Sequence, residues 1–236
     1  MFLIFDTETT GLPKRWNAPI SDSNNWPRCV QLAWQLHDET GKCLEYKNYL
    51  IKPDGFEIPF AAEKVHGIST ELAQKKGTDL KEVLDNFKNI LSNTKYLCGH
   101  NIVFDINILS SEYFRYYNVD PLKNFPKIDT CNQETANICM LPGGKGGNYK
   151  FPTLSELHFK IFGKNFNEAH NASADVDATA RCLLELLRTK KISPFELEDK
   201  ENIYNKIAGQ NPNIIEPLGI PHRNLKEESK KLKSKK

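Results

Sequence analysis

The chain contains 236 residues with a mass of 27.0 kDa, of which 39% are hydrophobic and 26% are charged. This composition excludes a wholly disordered chain, and the length corresponds to one domain, or to one domain with a tail. No apolar stretch approaches the roughly 20 residues of a membrane span, and the apolar opening residues are too few for a secretory signal. The six cysteines form no CxxC pair, which argues against a disulfide framework and a zinc cluster. We therefore expect a cytoplasmic protein with no membrane partner.

The net charge of +2 is unevenly distributed along the chain. Residues 223–236 hold seven basic and two acidic residues, a charge of +5, so the rest of the chain carries −3. A mildly acidic body with a basic arm suits a metal-dependent enzyme that acts on a polyanion. A solubilising, disordered end explains the same charges, and charge alone favours this second explanation.

The hydrophobic pattern predicts strands first and then an alternation of strands and helices. Residues 2–5 are continuously apolar, as in a strand that is buried on both faces, and residues 30–36 alternate as in a half-buried strand. The further predicted elements are, in chain order, a strand near 44–51, a helix at 80–91 that Asp79 and Glu82 cap, a strand at 96–98, a helix from 102, a strand at 127–129, and helices at about 130–139, 153–162 and 173–189. Beyond residue 190 the pattern disappears. This order indicates an α/β domain with a mixed sheet.

A pair of acids at the end of the first predicted strand is the first unusual feature. The apolar residues 2–5 run directly into Asp6 and Glu8. Residues i and i+2 of a strand point to the same face, so these like charges would repel each other at a dehydrated site unless a cation lies between them. For an isolated pair of this kind, a solvated turn at the end of the strand is the favoured explanation.

Two further acids border predicted helices. Asp105 adjoins the apolar face of the helix predicted from residue 102, where a carboxylate needs a partner. Asp175 lies in the first turn of the helix near 173–189, five residues after His170, and Asn171 or Ser173 is expected to cap that helix. The favourable position of an acid near a helix N-terminus explains either Asp by itself.

Taken together, the four acids concentrate at the ends of three core elements. Mg²⁺ and Mn²⁺ prefer carboxylate oxygens, and two such ions about 3.5–4 Å apart are a common arrangement for phosphodiester hydrolysis. A histidine, with an ordinary pKa of about 6.5, can accept a proton from the attacking water. The pattern favours a metal-dependent phosphodiesterase.

The motifs resemble those of the DEDDh 3′–5′ exonucleases, a family related to the proofreading ε subunit of bacterial DNA polymerase III. The matching stretches are Phe5-Asp6-Thr7-Glu8-Thr9-Thr10-Gly11, Gly99-His100-Asn101 through Asp105, H-x4-D from His170 to Asp175, and Val65-His66-Gly67-Ile68. The similarity covers about residues 1–188. It implies a ribonuclease-H-like α/β fold, with a five-stranded mixed sheet flanked by α-helices, in an exonuclease domain at residues 1–190. Residues 191–236 are then a C-terminal extension with a basic, disordered tail.

The same resemblance implies roles for individual residues. Asp6, Glu8, Asp105 and Asp175 resemble the ligands of two Mg²⁺ ions, for which Mn²⁺ can substitute, and His170 resembles the general base. The residues expected around the terminal nucleotide are Thr7, Leu12, His66, Ile68, Asn101 and Phe104, and Thr7 is expected to contact the 3′-hydroxyl through its backbone. The implied reaction removes nucleoside 5′-monophosphates from the 3′ end of a nucleic acid.

Other polar residues near the motifs have simpler explanations. We expect Asp177 to be a surface acid, because on a helix it faces away from Asp175. Asp129 is expected to cap the following helix. His100 is expected to be buried and hydrogen-bonded, and His158 to pack within a helix.

The loop at 13–27 and the C-terminal segment differ from a compact member of the family. Trp16 and Trp26 lie in the loop, where either indole could stack on an unpaired base or both could anchor the loop to the body. The C-terminal segment does not resemble the polymerase-binding end of the ε subunit, and residues 210–215 lack the leucine and aromatic residue of a clamp-binding motif. We therefore expect a stand-alone enzyme for repair or nucleic-acid turnover, without a polymerase or clamp partner.

Two alternatives remain open at this point. The resemblance alone favours DNA over RNA as the substrate, and contact with a 2′-hydroxyl would distinguish the two. A catalytically silent nucleic-acid-binding module could share the fold. Such a module would usually lack one of the acids or the histidine, whereas all five positions are filled here.

Overall fold

A computed structural model of the protein describes residues 1–167, 169–193, 200–208 and 224–234. A five-stranded sheet lies at its centre, in the strand order β3-β2-β1-β4-β5. The strands are β1 (Phe2–Thr9), β2 (Cys29–His37), β3 (Cys43–Leu50), β4 (Tyr96–Gly99) and β5 (Lys127–Asp129). The pairs β1–β2 and β2–β3 are antiparallel, whereas β1–β4 and β4–β5 are parallel. The predicted five-stranded mixed sheet is confirmed.

Helices cover both faces of this sheet. Within the described residues they are α1 (Phe60–His66), α2 (Thr70–Lys76), α3 (Leu80–Leu91), α4 (Ile102–Tyr117), α5 (Gln133–Cys139), α6 (Leu154–Phe162), α7 (Ala172–Arg188), α8 (Lys200–Ala208) and α9 (Leu225–Lys233). No helix in this part of the chain is long and apolar enough to cross a membrane. The predicted N-caps Asp79 and Asn171 are confirmed, since their side chains accept backbone N–H bonds from the first turns of α3 and α7.

The central strand β1 explains why the first residues are continuously apolar. Phe2 and Ile4 pack in the cluster on the α7 side of the sheet. Leu3 and Phe5 point to the other face and pack in the cluster that contains residues of α3 and α4. A strand that is buried on both faces carries apolar residues along its buried length. Its first acids, Asp6 and Glu8, lie toward the C-terminal end of the strand. The strand continues to Thr9 because Asp6 and Glu8 pair with β2.

The C-terminal basic segment corrects an expectation, because residues 225–233 form a helix rather than a disordered tail. Leu225 and Leu232, seven residues apart, pack with the cluster around α1 and α2. Between them, the buried Ser229 hydroxyl donates to the carbonyl of Gly67 at 2.7 Å and accepts from the N–H of Ser69 at 3.0 Å. The spacing places these residues on one helix face, which the many lysines hide in a composition count. The division of the chain at residue 190 stays a prediction.

A buried carboxylate ties the start of β2 to α4. Glu112 is fully buried, and its oxygens contact Arg28 Nε at 3.0 Å and Arg115 Nη1 at 3.0 Å. It also accepts the N–H of Cys29 at 2.9 Å. Arg115 continues the connection, because its Nη2 donates to the carbonyl of Trp26 at 2.7 Å and thereby holds the loop at 13–27.

We predict that Glu112→Ala lowers the free energy of unfolding by about 3–5 kcal/mol, because it leaves two guanidinium groups without their counter-charge and a buried N–H without its acceptor. Urea denaturation with the slope held constant measures this loss. The matched helix variant Glu82→Ala, at an exposed position, should stay within about 0.5 kcal/mol of the wild type. Equal stabilities of the two variants would show that Glu112 does not hold β2 against α4.

Candidate active site

Three carboxylates converge at the end of β1. Oxygens of Asp6, Glu8 and Asp175 all lie within 4.8 Å of one another. Asp6 and Glu8 share a face of β1 because they are two residues apart, and Asp175 comes from the first turn of α7. Glu8 and Asp175 are 167 residues apart in the sequence. The end of β1 and the start of α7 bring them together.

The fourth acid, Asp105, adjoins this group from α4. Its side chain is 3% exposed, and its Oδ1 accepts from both the N–H of Thr7 at 2.9 Å and the Thr7 hydroxyl at 2.7 Å. Thr7 lies between Asp6 and Glu8 in β1, and it therefore positions Asp105 beside these two acids. Because its N–H is engaged in this way, the expected contact of the Thr7 backbone with a 3′-hydroxyl stays a prediction.

Buried like charges change the ionisation of the cluster. Burial, followed by the neighbouring carboxylates, raises the pKa of Asp6 and of Glu8 well above the ordinary range, and Lys226 partly opposes this for Glu8. Burial also raises the pKa of Asp105 and of Asp175 to about 7, although hydrogen bonds from Thr7 and from His170 oppose the change. An all-oxygen donor set with this excess of negative charge suits a hard divalent cation.

His170 lies at the rim of the cluster. It is exposed, its φ of 66° is left-handed, and its N–H donates to Asp175 Oδ2 at 3.0 Å. The bend in the backbone at His170 and the cap by Asn171 start α7 at this point. The imidazole is therefore attached to the same turn that presents Asp175.

Two glutamines of β2, which the sequence analysis did not single out, fix the position of α7. Gln31 Nε2 donates to Asn171 Oδ1 at 3.0 Å, and Gln31 Oε1 accepts the N–H of Ala172 at 3.2 Å. Gln35 Nε2 donates to Asp177 Oδ1 at 3.4 Å. Asp177 is 9% exposed, so the expectation of a surface acid is wrong. The signal in the sequence was the repetition of glutamine on one face of a strand that proves fully buried.

The residues expected around the terminal nucleotide differ in accessibility. Leu12 is 72% exposed and Asn101 is exposed, whereas His66 and Ile68 are buried. The half-buried Phe104 lies 5.8 Å from the ring of Trp16, centroid to centroid. Ile68 packs in the cluster around α1 and α2, so its side chain does not face a cleft in this structure. Their expected roles in substrate binding stay predictions.

The neutral form of His66 is favoured by its surroundings. Burial lowers its pKa to about 4, and the charges of His170 and Lys226 act in the same direction. Its Nδ1 accepts the N–H of Ile68 at 3.1 Å, which fixes the ring at the end of α1.

The remaining polar residues have structural roles. His100 bonds to Thr130 Oγ1 at 3.0 Å and to the Pro152 carbonyl at 2.9 Å, so its expected hydrogen bonding is confirmed, but the residue is half-buried rather than buried. His158 is buried in α6 and contacts the Lys164 carbonyl at 2.8 Å, which confirms that it packs within a helix. Asp129 does not cap α5, because Asn132 does. Asp129 instead accepts the N–H of Asn101 at 2.7 Å and shapes the turn before α4.

Comparison with known proteins agrees with the fold and with the position of these motifs. The sequence profile of the exonuclease family RNase_T matches residues 3–183. The DNA polymerase III subunit epsilon of Rickettsia conorii is 29% identical over 234 residues, which cover 98% of this chain and 93% of the relative.

Solved structures share the fold. The zinc-bound complex of Escherichia coli exonuclease I with single-stranded DNA has a TM-score of 0.62 and 22% identity, and the match covers 86% of this chain and 42% of that one. Exonuclease X in complex with 5′-overhanging duplex DNA has a TM-score of 0.56 and 21% identity, and the match covers 85% of this chain and 99% of that one. This chain therefore spans less than half the length of exonuclease I.

The fold is thus a ribonuclease-H-like exonuclease fold, as expected. The chain belongs to the RNase_T exonuclease family, within which it is a DnaQ-like 3′–5′ exonuclease.

We predict that Asp175→Asn stabilises the metal-free protein relative to the wild type as the pH rises from 5 to 8. A carboxylate whose folded-state pKa is raised from 3.8 to about 7 contributes stability below pH 4, and this contribution is lost as the pH rises through 7. Burial lowers the pKa of His66 and of His100 to about 4. Through these two histidines, the free energy of unfolding rises with pH between about pH 4 and pH 6.5, which is the opposite of the effect of Asp175. The comparison with the variant cancels their effect.

Melting temperatures in EDTA and in millimolar Mg²⁺ or Mn²⁺ measure this difference. In EDTA at pH 8 the variant should melt above the wild type. With the metal ion the order should reverse, because the ion stabilises the ionised carboxylates. The exposed Asp54→Asn variant should follow the wild type throughout. A wild-type melting temperature that neither Mg²⁺ nor Mn²⁺ changes would contradict a shared metal site.

Proposed function

We propose that the chain hydrolyses the terminal phosphodiester at single-stranded or frayed 3′ ends of DNA, with two divalent metal ions, and releases nucleoside 5′-monophosphates. The observation that carries the proposal is the convergence of Asp6, Glu8 and Asp175 within 4.8 Å, beside His170. Asp105, which Thr7 orients, completes the set of acids that would hold Mg²⁺ or Mn²⁺. When bound, such ions supply positive charge that polarises the attacking water and stabilises the charged phosphate. A cytoplasmic location is part of this proposal.

Residues of the chain would accept the proton and contact the terminal nucleotide. The exposed His170 would accept the proton of the attacking water, since the turn that carries it also presents Asp175. The neutral His66 is buried at the end of α1, and it would border the terminal nucleotide without adding charge. Leu12 and Phe104 would supply apolar contacts to the last base or sugar.

DNA is preferred over RNA in this proposal because the related proteins are named for DNA synthesis or were solved with DNA. RNA as the substrate and a silent binding module are the alternatives, and the same assay tests them. A polymerase-associated role is a second candidate. It is favoured by the alignment with the Rickettsia conorii epsilon subunit, which extends over 98% of this chain, whereas the C-terminal sequence suggested a stand-alone enzyme.

We predict that the wild type shortens 5′-labelled single-stranded DNA from the 3′ end in Mg²⁺. His170→Ala should lower kcat by about 10²- to 10⁴-fold, because the general base is lost. A gel time course with DNA and RNA of the same sequence measures both activities. Added imidazole should partly restore the variant, which the loss of a merely structural contact would not allow. Absence of a ladder on either strand, in Mg²⁺ and in Mn²⁺, would contradict the proposal and favour a silent module.

The two tryptophans of the 13–27 loop provide a matched pair for substrate binding. Trp16 is 58% exposed beside Phe104, whereas Trp26 is 3% exposed and its indole N–H donates to the Pro19 carbonyl at 3.0 Å. Trp26 thus anchors the loop, and only Trp16 is placed to stack on a base.

We predict that Trp16→Ala raises KM for single-stranded DNA by about 5- to 150-fold, as expected for the loss of about 1–3 kcal/mol of stacking. Its melting temperature should stay unchanged. Trp26→Ala should instead lower the melting temperature, because it removes a buried side chain. Steady-state kinetics and thermal unfolding of both variants provide the measurement. An unchanged KM in Trp16→Ala would exclude stacking at this position.

A further inference from the structure

Helix α9 packs directly against the turn that follows His66. A Cβ atom on Gly67 would lie 2.9 Å from the backbone nitrogen of Lys226 and 3.1 Å from its Cα. Only a glycine allows this approach, and its φ of 79° is also left-handed. The start of α9 is therefore seated on the stretch Val65-His66-Gly67-Ile68, which borders the carboxylate cluster.

Three lysines, Lys64, Lys226 and Lys230, line a cleft beside this turn, and we call them the lysine row. The cleft has a volume of about 290 Å³, and Phe60 and Gly67 also line it. Lys226 and Lys230 are four residues apart on α9 and therefore share a helix face. All three lysines are exposed, and the Lys64 ammonium lies 4.6 Å from the centre of the Phe60 ring.

The acids near the cleft do not neutralise the lysine row. Glu63 pairs with Lys233 at 2.7 Å, and Glu228 pairs with Lys76 at 2.8 Å. In the part of the chain that the structure describes, no lysine of the row forms an ion pair. The ion pairs that α9 makes with α1 and α2 thus hold the helix in place and leave positive charge in the cleft.

The cleft adjoins His66, because Gly67 lines the cleft and directly follows His66 in the chain. Lys226 packs on that glycine, and its charge lowers the pKa of Glu8 and of His66. Clustered carboxylates repel the phosphates of an approaching strand, so positive charge beside them favours binding.

We propose that the lysine row binds phosphates of the DNA strand next to its terminal nucleotide, so that α9 forms one wall of the substrate cleft. This inference rests on the proposed function, and it names the part of the chain that holds the strand upstream of the cleaved bond. Lys226 and Lys230 are binding residues in this arrangement and take no part in the chemical step.

The test compares Lys226→Gln/Lys230→Gln with Lys75→Gln/Lys231→Gln, a control that removes the same charge from exposed positions outside the cleft. Fluorescence anisotropy of a labelled single-stranded oligonucleotide in EDTA gives Kd at 50 and 200 mM salt. Removal of one lysine–phosphate interaction lowers the slope of log K against log salt by about 0.7 for a single strand. The variant lacks two such interactions. Between 50 and 200 mM salt, the factor by which its affinity decreases should therefore be about seven times smaller than the factor for the wild type.

Kinetics separate binding from chemistry. In Mg²⁺ the lysine-row variant should show a raised KM for the oligonucleotide. Its kcat/KM should fall further on the oligonucleotide than on the p-nitrophenyl ester of thymidine 5′-monophosphate, which carries no upstream phosphate, because loss of the Lys226 charge near Glu8 affects both substrates alike. The control variant should match the wild type in all of these measurements.

The outcomes distinguish this inference from the proposed function. An unchanged Kd and salt slope in the lysine-row variant, or an equal loss in the control variant, would overturn the inference even if the wild type degrades DNA. A wild type that binds DNA through the lysine row but degrades no nucleic acid in Mg²⁺ or Mn²⁺ would support the inference and overturn the proposed function.

Discussion

The concentration of four carboxylates at the end of the central strand is the constraint on which the rest of the structure depends. Burial raises the pKa of each of these acids, and repulsion from the neighbouring carboxylates raises the pKa of Asp6 and of Glu8 further, so the fold must hold together groups that repel one another. It does so with hydrogen bonds donated by uncharged groups. Thr7 holds Asp105 with two bonds, and His170 holds Asp175 through its backbone. The acids are therefore fixed in place before any cation is bound, which favours tight metal binding.

The supporting groups are anchored on both faces of the sheet. On one face, Gln31 connects β2 to the start of α7 and so sets the position of Asp175. On the other face, Glu112 connects β2 to α4, which carries Asp105, and Arg115 extends this connection to the loop at 13–27. Because β2 contributes to both anchors, a shift of this one strand would move acids from two helices at once.

The sequence predicts the sheet and the shared strand face of Asp6 and Glu8 well, because both depend on local patterns. The apolar run at 2–5 can be a central strand only if both faces are covered, and the spacing of Asp6 and Glu8 places them on one face. The helices α1 and α2 lie outside the predicted elements because neither has a periodic apolar face: the buried residues are Ala62 and His66 in α1 and Leu72 and Ala73 in α2. Asp177 was misjudged because its environment depends on Gln35 of a distant strand, and no local pattern indicates that contact.

The C-terminal segment shows most directly why charge composition is a weak guide to structure. Its charge of +5 suits a disordered arm, yet α9 uses Leu225, Ser229 and Leu232 on one face to pack against the body. The lysines of α9 have different charged neighbours: Lys233 pairs with Glu63, whereas the charge of Lys226 acts on Glu8. The proposed reaction at the acids needs positive charge nearby that does not occupy the proposed metal positions. A docked basic helix provides that charge at a fixed distance from the acids, which a mobile arm of the same composition would not.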